Sequence, residues 1–155
     1  MDSKVLSFVG IFMVLCLFGC TASSKHPVSN RVLIHAGNLN RITGMQWILK
    51  SMKQNGQDYP LTGENPFIKF EPDGKVSGFT PINRFFGSVQ VDGEGNLRWS
   101  PFGSTKMAGP ENLMKQEDIF LKILQKTEQL STELIFLYAY TKDRDTEMVF
   151  YVPVH

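Results

Sequence analysis

The chain has 155 residues, 42% of them hydrophobic and 20% charged, which is enough apolar material for one folded domain and too much for a compositionally disordered chain. Lys and Arg number 16 against 15 Asp and Glu, and no basic stripe interrupts this balance, which weighs against a nucleic-acid partner. Both cysteines, Cys16 and Cys20, lie at the N-terminal end, so a mature domain beginning at or after Cys20 has no disulfide.

Residues 1–20 read as an export signal: Lys4 supplies a positive start, residues 5–18 are an apolar run with Ser7 its one hydroxyl residue, and the small Gly19 precedes Cys20. The run is shorter than the roughly twenty residues a spanning helix needs, so removal is expected. Leu17-Phe18-Gly19-Cys20 resembles the lipobox of bacterial lipoproteins. That resemblance implies cleavage between Gly19 and Cys20 and acylation of Cys20, and two or more acyl chains anchor stably where one is marginal. The alternative is an ordinary secretory signal in which the cysteine is incidental. Thr21 follows where an Asp would imply inner-membrane retention, so the same resemblance points to the periplasmic face of the outer membrane in a Gram-negative cell.

Residues 20–38 are expected to form a lipidated start and a flexible tether, with one short apolar stretch at residues 32–34. His26, His35 and His155 are scattered without a second ligand at metal spacing, so neither metal nor cofactor is expected. Residues 45–52 predict the first strand, with Trp47 facing the core, and the polar, Gly- and Pro-containing residues 55–66 predict a loop. Alternation at Ile68 and Phe70, the turn at residues 71–75 and the run 76–80 predict a hairpin. Gly78 and Gly87 bracket a Pro-containing turn between two apolar runs. Strands over residues 85–91 and 97–100 follow, joined by a turn at residues 92–96 whose acids lack the ligand pattern of a calcium loop.

Pro110, preceded by Gly109 as a plausible cap, opens a helix over residues 110–126. Leu113, Phe120, Leu124 and Thr127 form its apolar stripe, and Glu117 falls on that stripe between Leu113 and Phe120. A buried carboxylate needs a partner. Arg84 or the backbone N–H groups of the loop near it are the expected donors, and the alternative is a Glu117 at the helix edge that reaches water. Residues 134–140 and 148–152 predict a closing hairpin.

Three segments carry a family resemblance. Val76, Gly78, Asn83, Phe85 and Gly87 fit the pattern V-x-G-x-x-G-C-N-x-[FY]-x-G; Thr105, Met107 and Ala108 fit T-x-M-A-C; Glu117, Phe120, Leu121 and Leu124 fit E-x-x-F-L-x-x-L. Together with Trp47 they resemble the META domain, the HslJ-like family of bacterial envelope proteins, over about residues 39–153. Ile82 and Gly109 stand where the family pattern has cysteines, and Pro81 replaces a Gly. The joint loss is what pairing of those cysteines in other members would imply, so this chain is expected to lack that staple.

The predicted architecture is α+β: an antiparallel sheet curled into an open or half β-barrel, with one main helix packed against it. No G-x-S-x-G, Walker loop, dinucleotide fingerprint or HExxH is present, and adjacent acids such as Glu117 and Asp118 point apart on a helix, so no enzyme is expected. A cleft joining Glu117, Arg84 and Asn83 with a raised carboxylate pKa would point the other way. For Asn83 and Thr105 the structural expectation is an unusual turn conformation and a cap or cross-sheet pair, set against a ligand site formed with Arg84. Phe79, Phe85, Phe86, Trp99 and Phe102 line either a hydrophobic groove or the core. The resemblance implies links to envelope stress, drug tolerance or secretion. The functional expectation is a lipid-anchored, non-catalytic binding or assembly module with envelope or secretion proteins as partners, or alternatively a barrel that binds lipid or a small hydrophobic ligand.

Overall fold

A computed structural model describes residues 30–154. The export signal, Cys20 and the start of the tether, together with His26 and His155, lie outside the described residues. The strands are β1 (Val32–Leu33), β2 (Gln46–Gln54), β3 (Gln57–Tyr59), β4 (Phe67–Phe70), β5 (Lys75–Phe79), β6 (Arg84–Val91), β7 (Leu97–Trp99), β8 (Gly103–Ser104), β9 (Gln129–Glu133), β10 (Phe136–Tyr140) and β11 (Glu147–Tyr151). Among the described residues one α-helix, α1 (Glu111–Lys126), interrupts them after β8. The sheet runs β1-β9-β10-β11-β2-β4-β5-β6-β7, with β3 paired to β2 and β8 to β6, and every strand pairing is antiparallel.

This is the curled, unclosed sheet with a packed helix that the sequence predicts. Its terminal strands, β1 and β7, do not pair. Curvature nevertheless brings the two ends together: the Leu97 N–H donates to the Glu128 carbonyl at 3.0 Å, and the Ala36 N–H to the Asp92 carbonyl at 3.0 Å. Alternation sorts each strand into two faces. Trp47, Leu49, Ile68, Phe70, Val76, Phe85, Leu137, Met148 and Phe150 point inward and are buried. Phe120, Ile123 and Leu124 of α1 complete this core, and the Phe120 ring meets Phe85 at 5.6 Å and Phe150 at 6.5 Å, both edge-on. Full burial of a side chain of this size is worth about 2–3 kcal/mol. The concave face is thus covered by packed aliphatic and aromatic side chains.

Five local expectations change. The tether ends earlier than residue 38, because Val32 and Leu33 pair with β9, Ile34 is fully buried, and His35 caps a 3-10 turn over Ala36–Arg41 by accepting from the Gly37 N–H. Within the expected loop 55–66, β3 pairs with β2 through a turn at Asn55 and Gly56, both with positive φ. Strand β9 was not anticipated. Pro110, not Gly109, is the N-cap, and its carbonyl accepts from the Leu113 and Met114 N–H groups. Thr127 closes the helix by donating its hydroxyl to the Leu124 carbonyl at 2.7 Å. Leu113 is only half-buried, and the first inward turn is polar, formed by Gln116 and Glu117.

Candidate functional site

The turn 80–83 between β5 and β6 holds the motif together. Its Thr80 N–H donates to the Asn83 carbonyl at 2.8 Å, and the Thr80 hydroxyl accepts from the Asn83 N–H at 2.9 Å. The same hydroxyl donates to Glu117 Oε2. Asn83 Nδ2 donates to Glu117 Oε1 at 3.1 Å and to Oε2 at 3.2 Å, and the Asn83 backbone N–H also reaches Oε2 at 3.2 Å. On its other side Asn83 Oδ1 accepts from the Thr105 hydroxyl and the Met107 N–H, each at 2.8 Å. One asparagine therefore joins the turn, the segment after β8 and the helix.

Thr80, Asn83 and Glu117 are all buried. Such a carboxylate is tolerated because donors surround it. Of the two expected donors, the backbone of the motif loop is present, and Arg84 is not. Successive residues of a strand face opposite ways, so Asn83 and Phe85 point inward while Arg84 points outward and is exposed. No cleft joins Glu117 to Arg84 among the described residues. Asn83 does not adopt an unusual conformation either, since among the described residues the non-glycine positions with positive φ are Asn55, Leu134 and Arg144. Its role lies in its side-chain amide. Thr105 pairs across the sheet as expected: its N–H donates to the Arg84 carbonyl at 3.0 Å and its hydroxyl accepts from the Arg84 N–H at 3.1 Å.

The remaining motif positions are packing positions. A Cβ on Gly78 would sit 2.2 Å from the Phe67 carbonyl oxygen and 2.4 Å from the Phe85 ring, and one on Gly87 would sit 2.8 Å from the Phe102 ring. Met107 contributes its backbone to Asn83 while its side chain is exposed. Ile82 and Gly109 lie against each other: a Cβ on Gly109 would meet Ile82 Cδ1 at 2.5 Å, so the isoleucine occupies the space that the glycine leaves. Thr80 is the participant that the sequence reading missed. A Thr three residues before Asn83 is the available signal, because its hydroxyl closes the turn on itself.

The outward side of the same strands is different. Phe67 and Phe79, cross-strand partners with rings 6.2 Å apart, line a groove of about 660 Å³ with Lys69, Ser77, Arg84 and Phe86, and Glu64 stands at its edge. Phe86 is 60% exposed. Of the aromatics singled out in the sequence, Phe79 and Phe86 belong to this groove. Phe85 is buried beneath it and packs on Phe102, which in turn packs on Trp99. Among the described residues no group of three or more His, Cys, Asp or Glu is placed to hold a metal.

The META domain family model matches residues 40–150, and the chain belongs to that family. No curated protein matches it closely enough to count as a relative. Solved structures share the fold at low identity. A protein from Burkholderia xenovorans, solved by NMR, is 19% identical with a TM-score of 0.63 over 84% of this chain and 99% of its own. A DUF4847 family protein from Bacteroides vulgatus ATCC 8482 is 13% identical with a TM-score of 0.53 over 72% of this chain and 94% of its own.

Proposed function

We propose that the protein is a non-catalytic, lipid-anchored module of the cell envelope that binds a partner through the outer face of β4, β5 and β6. The observation that carries this reading is the contrast between the two sides of the motif hairpin. Inward, Asn83, Thr80, Thr105 and Glu117 spend their hydrogen-bonding capacity on one another. Outward, Phe67, Phe79 and Phe86 with Lys69, Arg84 and Glu64 offer a grooved aromatic surface that carries charges of both signs, with the aromatic and Arg content that binding surfaces favour.

Anchoring is supported by the Leu17–Cys20 segment, and Thr21 favours the periplasmic face of the outer membrane in a Gram-negative cell. Residues 21–31 separate Cys20 from β1, a distance of at most about 43 Å were that segment fully extended. The groove would then work close to the bilayer, with envelope or secretion proteins as partners. The second reading, binding of a lipid or small hydrophobic ligand, is favoured by the same aromatic lining, and in it the ligand lies in the outer groove because aliphatic and aromatic side chains pack the concave side.

Native mass spectrometry of the full-length protein extracted from membranes, before and after denaturation, tests both. A covalent acyl mass on Cys20 that disappears in Cys20→Ser supports the anchor, and an unmodified N-terminus removes it. An acyl-sized mass lost on denaturation would favour the ligand reading over a protein partner.

A further inference from the structure

The opposite end of the sheet carries a second arrangement. Tyr138 and Tyr140, two apart on β10, share a face, and each has an arginine stacked on it. The guanidinium carbon of Arg31 lies 3.4 Å from the Tyr138 ring centre, and that of Arg144 lies 3.5 Å from the Tyr140 ring centre. One carboxylate serves both cations. Glu147, the cross-strand partner of Tyr140, accepts from Arg31 Nη1 at 3.2 Å, while Arg144 Nη1 is 3.9 Å away and makes no hydrogen bond to it. Two positive charges thus face one negative charge. A guanidinium has five N–H donors, and among the described residues this pair uses a single one.

Beside them Ser131 of β9, paired with Leu33 and Tyr138, is 2% exposed and its hydroxyl has no partner among the described residues. Arg31, Arg144, Ser131, Leu33, Gln129 and Tyr140 line a cleft of about 530 Å³. A buried hydroxyl without a partner costs stability unless something else completes it.

We propose that this cleft binds a phosphate-type oxyanion. Its oxygens suit two guanidinium forks and a hydroxyl at once, and the charge it brings balances the surplus cation. Stacking on Tyr138 and Tyr140 holds both forks in place before the ligand arrives, which lowers the entropy lost on binding. Glu147 orients Arg31 and competes with the ligand for it. The phosphate is supplied either by a small soluble molecule or by a lipid headgroup.

The test is isothermal titration of the full-length protein in maltoside micelles with inorganic phosphate at fixed ionic strength, and a second arm that titrates it, its anchor already in the micelle, with mixed maltoside micelles of phosphatidylcholine with or without phosphatidic acid. Saturable binding is expected, about tenfold weaker in Arg144→Gln, several-fold weaker in Ser131→Ala, and tighter in Glu147→Gln. Lys122→Gln, on an exposed helix position, should bind as the parent does. Binding of inorganic phosphate with this pattern indicates a soluble ligand. Binding confined to mixed micelles containing phosphatidic acid, with the same dependence on Ser131 and Arg144, indicates a headgroup. No binding in either arm by folded protein, binding that ignores these substitutions, or weakening in Glu147→Gln would overturn the proposal.

Discussion

The side-chain amide of Asn83 donates to both carboxylate oxygens of Glu117, at 3.1 and 3.2 Å, across 34 residues of sequence. The contact closes the motif turn onto the helix. Removing Asn83 as alanine leaves Glu117 short of a donor and strips acceptors from Thr105 and Met107, so Asn83→Ala should cost about 2–4 kcal/mol. Glu117→Gln keeps the shape but turns an amide toward the donors of Thr80 and Asn83, and should cost about 1–3 kcal/mol. Chemical denaturation with unchanged m-values checks both, and a Glu117→Gln protein as stable as the parent would show that the cluster does not support the fold.

Gly78 lies where β4 and β5 pair, against the Phe85 ring. Gly78→Ala places a methyl within 2.2 Å of the Phe67 carbonyl oxygen, a backbone atom that cannot move without disturbing the pair. A loss of about 2–3 kcal/mol is expected, read as a lower denaturation midpoint. Gly87→Ala should cost less, because the atoms it meets belong to the side chains of Phe102 and Ser100.

Leu134 at the tip of the β9–β10 hairpin has φ of 53° and is 94% exposed. Only two residues connect the strands there, and the first of them carries the left-handed conformation that glycine adopts without steric cost. Leu134→Gly should therefore stabilise the protein by about 0.5–1 kcal/mol, measured as a rise in Tm.

Asp92 governs the turn between β6 and β7. The Asn96 side chain, the Asn96 backbone N–H and the Glu94 N–H donate to its carboxylate and hold its pKa below the ordinary 3.8. A lowered folded value means that the folded state binds fewer protons. The resulting stabilisation is fully present above the ordinary value and is lost as pH falls through the folded one. Carbon-13 NMR titration should show Asp92 ionising below 3.8, with the value rising toward it in Asn96→Ala.

Much of the sheet is legible in the sequence because β4, β5, β6 and β11 alternate inward apolar residues with outward ones. Strand β9 escapes because Gln129, Ser131, Thr132 and Glu133 carry little apolar rhythm, and its pairing with β1 and β10 supplies what its side chains do not signal. The three residues of β3 are too few for a period, and they sit among turn formers. At the site, the spacing of α1 exposes the anomaly of Glu117, but identifying its partner needs the parity of β6. A shift of one residue exchanges the inward Asn83 for the outward Arg84. Thr80 is marked only by its place three residues before Asn83, a faint signal because a threonine beside a proline otherwise looks like any turn residue.

The central claim is that the outer face of β4–β6 does the binding while the inner motif residues hold the fold. The most direct test is a photo-crosslinking amino acid placed at Phe86, in the groove, and separately at Lys122, on the exposed side of α1, in the full-length protein within the intact envelope. The account predicts a defined adduct from position 86 that is lost in Phe79→Ala, with none from position 122, while Phe79→Ala, which loses its stacking on Phe67, costs about 1–2 kcal/mol and leaves the protein folded. Equal adducts from both positions, or none from position 86 in protein shown to be folded and membrane-bound, would contradict it.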